Sequence, residues 1–334
     1  MEGLMNSTFK ALVVKEDNGK FIRSIERKNI TELPGGDVLI NVKYSALNYK
    51  DALSASGNKG VSKHYPHTPG IDAAGIVANS TVQEFKEGDE VIVTGYDLGM
   101  NTPGGFAEYI SVPAAWVVKR PEKLTLKESM ILGTAGFTAA LSLYKLEQNG
   151  LTCDKGDVLV TGASGGVGSI AVAILSKCGY NITAATGKDE GDYLKQLGAR
   201  SIINREELIN NSGKPLLTGR WAAAIDTVGG SVLETLIASV KMSGSVAACG
   251  NVLSAKISTT VFPFILRGVN LLGINSAETN YNLRTKLWEN LSGAWKPSVL
   301  ENICTEHSLE ELNSDIDLIL RGKTRGRIVI NMNI

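Results

Sequence analysis

The stretch from Asp157 to Tyr180, DVLVTGASGGVGSIAVAILSKCGY, limits what this chain can fold into more than any other. Its uncharged run from Val158 to Ser176 is long enough to cross a bilayer. However, Gly162, Gly165, Gly166 and Gly168, with Thr161 and Ser164, make a poorly insulated helix start in lipid. The alternative is a strand, a tight turn and a helix. Val167, Ala171, Ile174 and Cys178 recur at helical spacing, and Gly179 suits the left-handed residue after a helix end. Gly162, Gly165 and Gly168 are spaced G-x-x-G-x-x-G, a variant of the dinucleotide fingerprint. That chemistry needs glycine for a sharp turn, for close backbone approach to pyrophosphate and for helix–strand packing. The helix start adds unpaired N–H groups and a positive dipole end. A ligand-free glycine turn reads the same in isolation, so the flanking pattern decides.

That pattern is an alternation. Strand candidates are Val158–Thr161, Ile182–Ala185, Ser201–Ile203, Ala223–Asp226, Ser245–Ala248 and Asn270–Ile274. Helical runs lie among them, at Tyr193–Leu197, Val232–Val240 and Leu283–Leu291. Alternating β and α predicts a doubly wound parallel sheet covered by helices, the setting in which the fingerprint binds a dinucleotide. Before residue 120 the character differs. Val38, Ile40, Val42 and Tyr44 alternate with Leu39, Asn41, Lys43 and Ser45, and Glu90–Val93 reads as a strand after a turn. This predicts a compact, mostly β region. A helical stretch spans 124–150, and the tail predicts a helix, Ser308–Leu320, and a strand, Gly326–Met332.

Composition narrows the function classes. Thirty-four basic and 34 acidic residues cancel, which removes any electrostatic reason to bind nucleic acid or an anionic membrane. Cys153, Cys178, Cys249 and Cys304 form no C-x-x-C pair, so a reduced, cytoplasmic protein is expected. The start, MEGLMNSTFK, has no basic segment followed by an apolar run and no secretory signal is expected.

The second strand of the alternation selects the dinucleotide. An acid near its end would hold the ribose 2′-OH of NAD. Here the segment reads AATGKDE, so Thr186, Gly187 and Lys188 offer a hydroxyl, a backbone amide and a cation. These suit the 2′-phosphate of NADP, and Asp189 and Glu190 suit the first turn of the next helix. The competing reading of Lys188 is a solvated charge.

Six further stretches extend the picture: LNYKD (47–51), PGIDAAG (69–75), GTAGFTAAL (133–141), VTGASGGVG (160–168), FILRGV (264–269) and GRIVI (326–330). Together they resemble the medium-chain dehydrogenase/reductase superfamily, and within it the zinc-free YhdH/YhfP family of quinone oxidoreductase and acrylyl-CoA reductase type. The resemblance implies an α/β fold in which a Rossmann doubly wound parallel sheet is inserted in a GroES-like, mostly β catalytic domain. Residues 1–129 with 299–334 would form the catalytic domain, and 130–298 the NADP-binding domain. It also implies a homodimer. The region in which zinc relatives keep a first ligand reads LNYKD, and the one in which they carry G-H-E reads Gly70-Ile71-Asp72. Three histidines and four scattered cysteines make no typical zinc site, so no metal is expected.

The resemblance also implies residue roles. Tyr49 would lie beside the nicotinamide, with two readings: a proton donor to the carbon beside the carbonyl, or a side chain that packs and positions cofactor. Asn48 and Asp51 are candidates for orienting it. Ser164, Gly165, Gly166 and Val167 would meet the pyrophosphate. Thr186, Gly187, Lys188 and Arg205 would meet the 2′-phosphate. Asn251, in ACGN, Ile265 and Ser276 are implied near the nicotinamide, and Arg327 at the cofactor cleft. The basic loop Gly57–His67 reads as a CoA-phosphate contact or as a solvated loop; His64 and His67 have no visible carboxylate partner. Cys249 reads as a small buried residue.

The activity implied is NADPH-dependent hydride transfer to an activated C=C, in an enoyl-CoA such as acrylyl-CoA or in an enone. Quinone reduction is the close alternative. A dinucleotide-binding sensor or structural module with little turnover would share the same fold.

Overall fold

The computed structural model describes residues 7–210 and 212–334 and divides the chain into two compact units. The first contains 1–134, 277–292 and 300–334; the second contains 135–276 and 293–299.

The second unit is a six-stranded sheet in which every pairing is parallel. Across the sheet the strands run Ser201–Asn204, Ile182–Thr186, Val158–Val160, Trp221–Asp226, Val240–Ala248 and Asn270–Gly273. In chain order this is 3-2-1-4-5-6, the doubly wound Rossmann arrangement, with its switch point where Val158–Val160 meets Trp221–Asp226. Both faces of such a sheet are covered, so the strands read as near-continuous apolar runs: Val158, Leu159 and Val160 are fully buried, as are Ala223, Ala224 and Ile225. The helix Gly166–Lys177 presents Ile170, Ala171, Ile174 and Leu175 to the interior. The helix Gly230–Ser239 adds Leu236 and Ile237 to a cluster with Leu159, Trp221 and Val246.

One boundary differs from the sequence pattern. Val240 is a strand residue rather than the end of a helix, and the strand begins there rather than at Ser245. Val240 pairs with Trp221 and Ser245 with Ala223, so residues 241–244 stand against Ala222 alone and the register shifts there, with Ser243 at φ +58°.

The first unit is built on a seven-stranded sheet in the order Cys304–Ser308, Arg327–Asn331, Val38–Leu47, Asp72–Ser80, Glu90–Thr94 and Val117–Lys119, with Tyr109–Val112 also pairing Val38–Leu47. A separate two-stranded hairpin, Thr8–Asp17 with Lys20–Asn29, turns at Asn18 (φ +49°) and Gly19 (φ +75°). Asn-Gly between two runs is a strong hairpin signal, although the flanking alternation is too irregular to show the strands. Val38, Ile40 and Val42 point into a core with Val77, Val91, Val93 and Ile110; each such burial contributes roughly 1.5–3 kcal/mol. The expected alternation fails at Tyr44. The pairing slips between Val42 and Tyr44, so the face inverts and Ser45 is buried instead.

The tail differs too. Ser308 closes the strand Cys304–Ser308, and the helix runs only from Leu312 to Leu320. Glu311 Oε2 accepts from both the N–H and the hydroxyl of Ser308, at 2.8 and 2.9 Å, which fixes the turn there.

The helix Tyr281–Ser292 belongs to the first unit, whereas the sequence grouped it with the Rossmann segment. Arg284 explains why. It is buried, its Nη1 donates to Thr94 O at 2.8 Å and Thr94 Oγ1 at 3.0 Å, and its Nη2 donates to Ala277 O at 2.9 Å. Its guanidinium also lies 4.3 Å from the ring centre of Tyr96, which stacks on Trp116. Arg284→Ala is expected to cost about 3 kcal/mol, because it opens a cavity and strips buried acceptors. Urea unfolding followed by tryptophan fluorescence would measure it, and Arg284→Lys, lacking the planar fork, should recover little.

Candidate active-site residues in the two units

In the second unit the glycine loop sits at the carboxyl end of Val158–Val160, at the switch point. Gly162 has φ +56°, and a Cβ there would stand 2.3 Å from Thr227 Oγ1. A Cβ on Gly168 would stand 2.3 Å from Gly162 O, so the helix start lies directly on the turn. Gly165 is the N-cap of the 12-residue helix Gly166–Lys177, and no side chain caps it. The N–H groups of a first helical turn have no partner within the helix, and a pyrophosphate is an acceptor of the kind that suits them.

Beside the loop lies the end of Ile182–Thr186. Ser164 Oγ and Thr186 Oγ1 are 3.0 Å apart, and Thr186 Oγ1 accepts the Lys188 N–H at 3.1 Å. Arg205 packs on Gly187 so closely that a Cβ would meet its Nε at 2.6 Å. Burial holds the Lys188 ammonium below its ordinary range. Ser164, Thr186, Gly187, Lys188 and Arg205 are thus gathered into one basic corner. Asn251 is exposed, Ile265 is 68 % exposed, and Ser276 Oγ accepts from Thr138 Oγ1 at 2.8 Å. These three lie outside the corner. Cys249 is half-buried, and its thiol is pushed up to about 12 by burial, which removes it as a nucleophile.

In the first unit Tyr49 opens the helix Tyr49–Ala55, half-buried. Asn48 is its N-cap, and Asp51 Oδ2 accepts the Asn48 N–H at 2.8 Å while Asp51 Oδ1 accepts the Ile71 N–H at 2.8 Å. Asn48 Nδ2 donates to Asp72 Oδ2 at 2.8 Å and to Asp51 Oδ2 at 3.2 Å. Asp72 also accepts the Thr134 N–H at 2.9 Å and the Thr134 hydroxyl at 2.6 Å.

Arg327 closes this network from the last strand. Only 2 % exposed, it donates from Nε to Ile131 O at 3.1 Å and from Nη1 to Leu47 O at 3.1 Å and Asn48 Oδ1 at 3.0 Å. Its Nη2 faces Asp72 Oδ2 at 3.6 Å. The helix Leu126–Gln148 makes room by breaking at Gly133 (φ +49°), where a Cβ would stand 2.6 Å from Asp72 Oδ2 and 3.0 Å from Arg327 Nη2. Sequence spacing gives no sign of this Asp72–Arg327 pair.

Burial raises both carboxyl groups. Asp51 is pushed up to about 7 by burial and by the neighbouring Asp72. Asp72 is raised by burial against the opposing pull of Arg327. Among the described residues no three of His, Cys, Asp and Glu converge as metal ligands. The donor set does not suit zinc: Asp51 spends its oxygens on N–H donors, and Asp72 already faces a guanidinium.

Residues 34–122 match the alcohol dehydrogenase GroES-like domain, and 166–292 match the zinc-binding dehydrogenase domain. The chain is 43% identical over 328 residues to the acrylyl-CoA reductase AcuI of Ruegeria pomeroyi, covering 97% of this chain and 99% of that one. It is 41% identical to the yhdH oxidoreductase of Salmonella enterica, a structure in complex with NADP, with TM-score 0.94 over 97% of this chain and 100% of that one. It is 45% identical to yhfP of Bacillus subtilis, a structure with NAD bound, with TM-score 0.95 over 98% of this chain and 100% of that one.

The carboxyl network has a testable pH signature. Asp51 is protonated in the folded state up to about pH 7 but ionises near its ordinary 3.8 when unfolded. The stability it contributes is fully present below about pH 4 and is lost as pH rises through about 7, on the order of 4 kcal/mol for such a shift. Thermal unfolding should therefore show a smaller fall in Tm from pH 5 to pH 8 in Asp51→Asn than in the wild type.

Proposed function

Because this chain belongs to the YhdH/YhfP family of medium-chain dehydrogenases/reductases, we propose that it is an NADPH-dependent reductase of an activated carbon–carbon double bond, with acrylyl-CoA or a related enoyl thioester or enone as acceptor. The observation that carries the cofactor choice is the basic corner of Thr186, Gly187, Lys188 and Arg205, which suits a 2′-phosphate. The glycine loop fits the rest of a dinucleotide: Gly162, Gly165, Gly166, Val167 and Gly168 offer backbone to the pyrophosphate, with Ser164 beside it. Asn251, Ile265 and Ser276 are assigned to the nicotinamide end. When bound, NADPH supplies hydride to the β-carbon of the acceptor.

The protein's own chemistry is then proton delivery and orientation. Tyr49 is the residue we assign to the proton that the α-carbon needs. Its place at the first helical position is held by Asn48, and Asn48 is held by Asp51, Asp72 and Arg327. Arg327 acts through Asn48. We read the enzyme as zinc-independent, since a conjugated C=C accepts hydride without a metal and the Asp72 carboxylate is already matched by a cation. A quinone acceptor is the second reading, resting on YhfP of Bacillus subtilis, which carries a quinone oxidoreductase name. We assign the enzyme to the cytoplasm, where its four free cysteines stay reduced.

We also propose a homodimer. Asn270–Gly273 is the edge of the six-stranded sheet, and Val261, Phe262, Leu266 and Leu271 around it are all exposed. An apolar, unpaired edge is a pairing surface, and a second copy supplies the matching strand. Light scattering on the eluted protein should return twice the chain mass, and Leu271→Lys should shift it toward the monomer.

The activity is tested by following NADPH absorbance with acrylyl-CoA and with a benzoquinone, each repeated with NADH. NADPH loss with acrylyl-CoA, at least about tenfold faster than NADH loss, is the expected result, and Arg205→Ala should narrow that gap. Loss with the quinone alone favours the second reading. Tight NADPH binding with no loss to any acceptor would overturn the enzyme reading in favour of a binding module.

A further inference from the structure

Across the switch point from the glycine loop, the strand Trp221–Asp226 ends in a carboxylate that no reading of the loop has used. Asp226 has 0 % exposure. Its Oδ1 accepts the Thr161 hydroxyl at 2.7 Å and the Val228 N–H at 3.3 Å, and its Oδ2 accepts the Gly229 N–H at 2.8 Å. Thr161 is the residue just before the glycine turn, and it returns the contact. Its Oγ1 accepts the Thr227 N–H at 3.0 Å, and its backbone O accepts the Thr227 hydroxyl at 2.9 Å. That same Thr227 hydroxyl occupies the space that a Cβ on Gly162 would need. The backbone O of Asp226 accepts the Cys249 N–H at 2.9 Å, which ties in a third loop.

We infer that Asp226 is a positioning residue for the dinucleotide: with Thr161 it clamps the glycine loop in its phosphate-receiving shape before any cofactor arrives. The inference rests on the reading of that loop as a dinucleotide cradle. The carboxylate is needed for a chemical reason. It faces three donors at once, and a carboxylate is an acceptor on both oxygens. An amide has one acceptor oxygen and would turn an N–H₂ toward the Thr161 hydroxyl or the Gly229 N–H. Thr161 is needed because it donates to Asp226 and accepts from Thr227 with a single oxygen. Burial without charge pairing is costly, and burial raises the Asp226 carboxyl above its ordinary range. The turn closes on itself through the Gly165 N–H to Gly162 O at 2.9 Å, and amides kept for a ligand add nothing to that, so the further rigidity comes from the side facing away from the phosphates.

The test uses the full-length protein and two readouts. NADPH affinity is measured by nicotinamide fluorescence, and backbone deuterium uptake is followed without cofactor. Asp226→Asn and Thr161→Val are expected to weaken NADPH binding about tenfold, with kcat within about twofold of wild type. Uptake in peptides covering 160–169 should rise, while peptides covering 38–47 stay unchanged. Thr161→Ser keeps both hydrogen bonds and should bind as the wild type does. Unchanged affinity in both Asp226→Asn and Thr161→Val would overturn the inference, as would raised uptake throughout the six-stranded sheet, which marks Asp226 as general core support. Should the wild type bind neither NADPH nor NADH, the cradle reading falls, and uptake at 160–169 in the variants still decides whether the clamp exists.

Discussion

A guanidinium and a carboxylate removed from water together organise the first unit. Asp72 and Arg327 are 255 positions apart, yet between them they gather Leu47, Asn48, Ile131 and Thr134. Desolvating two charges costs several kcal/mol per ion and is offset only when the remaining polar atoms find partners. Here almost all do, and the sheet follows from it. Arg327–Asn331 must pair with Val38–Leu47, Ile328 opposite Leu47, for the guanidinium to reach the Leu47 carbonyl. Gly133 must break its helix, because any side chain there would strike the pair. The pair is weak evidence for net stability, but it leaves few alternative arrangements of these four segments.

The second unit solves a related problem with a lone buried carboxylate. A turn that keeps its first-turn amides for a phosphate has few hydrogen bonds of its own, here the Gly165 N–H to Gly162 O at 2.9 Å. Asp226 supplies acceptors to the rear of the turn, through Thr161, and to the head of the next helix, through Gly229. In both units an aspartate at a strand terminus accepts a backbone N–H from a neighbouring segment. Asp72 does this for Thr134 and Asp226 for Gly229. A buried carboxylate in that role fixes loop geometry to within a hydrogen bond's tolerance, which apolar packing alone does not.

How far the sequence was legible follows from how local each requirement is. The glycine turn, the strand after it and the Thr186–Lys188 corner are set within a few residues, so spacing and residue type reveal them. Asp226 is invisible in that reading because its partner Thr161 lies 65 positions earlier. Only the 3-2-1-4 strand order brings the two ends together. Arg327 was singled out by family resemblance alone, and its internal partners needed the antiparallel register to emerge. The slip between Val42 and Tyr44 misled the alternation because a bulge inverts the face without leaving a mark in composition. Arg205 reads as a surface charge until Gly187 is seen beneath it.

The charges of the first unit's network lead to a last consequence. Asp51, Asp72 and Arg327 are all buried, and with both carboxyl groups ionised they would carry one uncompensated negative charge. An apolar interior resists that, so the cluster keeps a proton, and Asp51 titrating at about 7 is where it is kept. Arg327 faces Asp72 rather than Asp51, which leaves Asp72 the better place for the remaining negative charge. Asn48 touches all three groups, donating to both carboxyl groups and accepting from Arg327. It is also the residue from which the helix of Tyr49 starts. The single Asn48 amide thus has to suit both charge states of the cluster, as donor to the two carboxyl groups and as acceptor of the guanidinium.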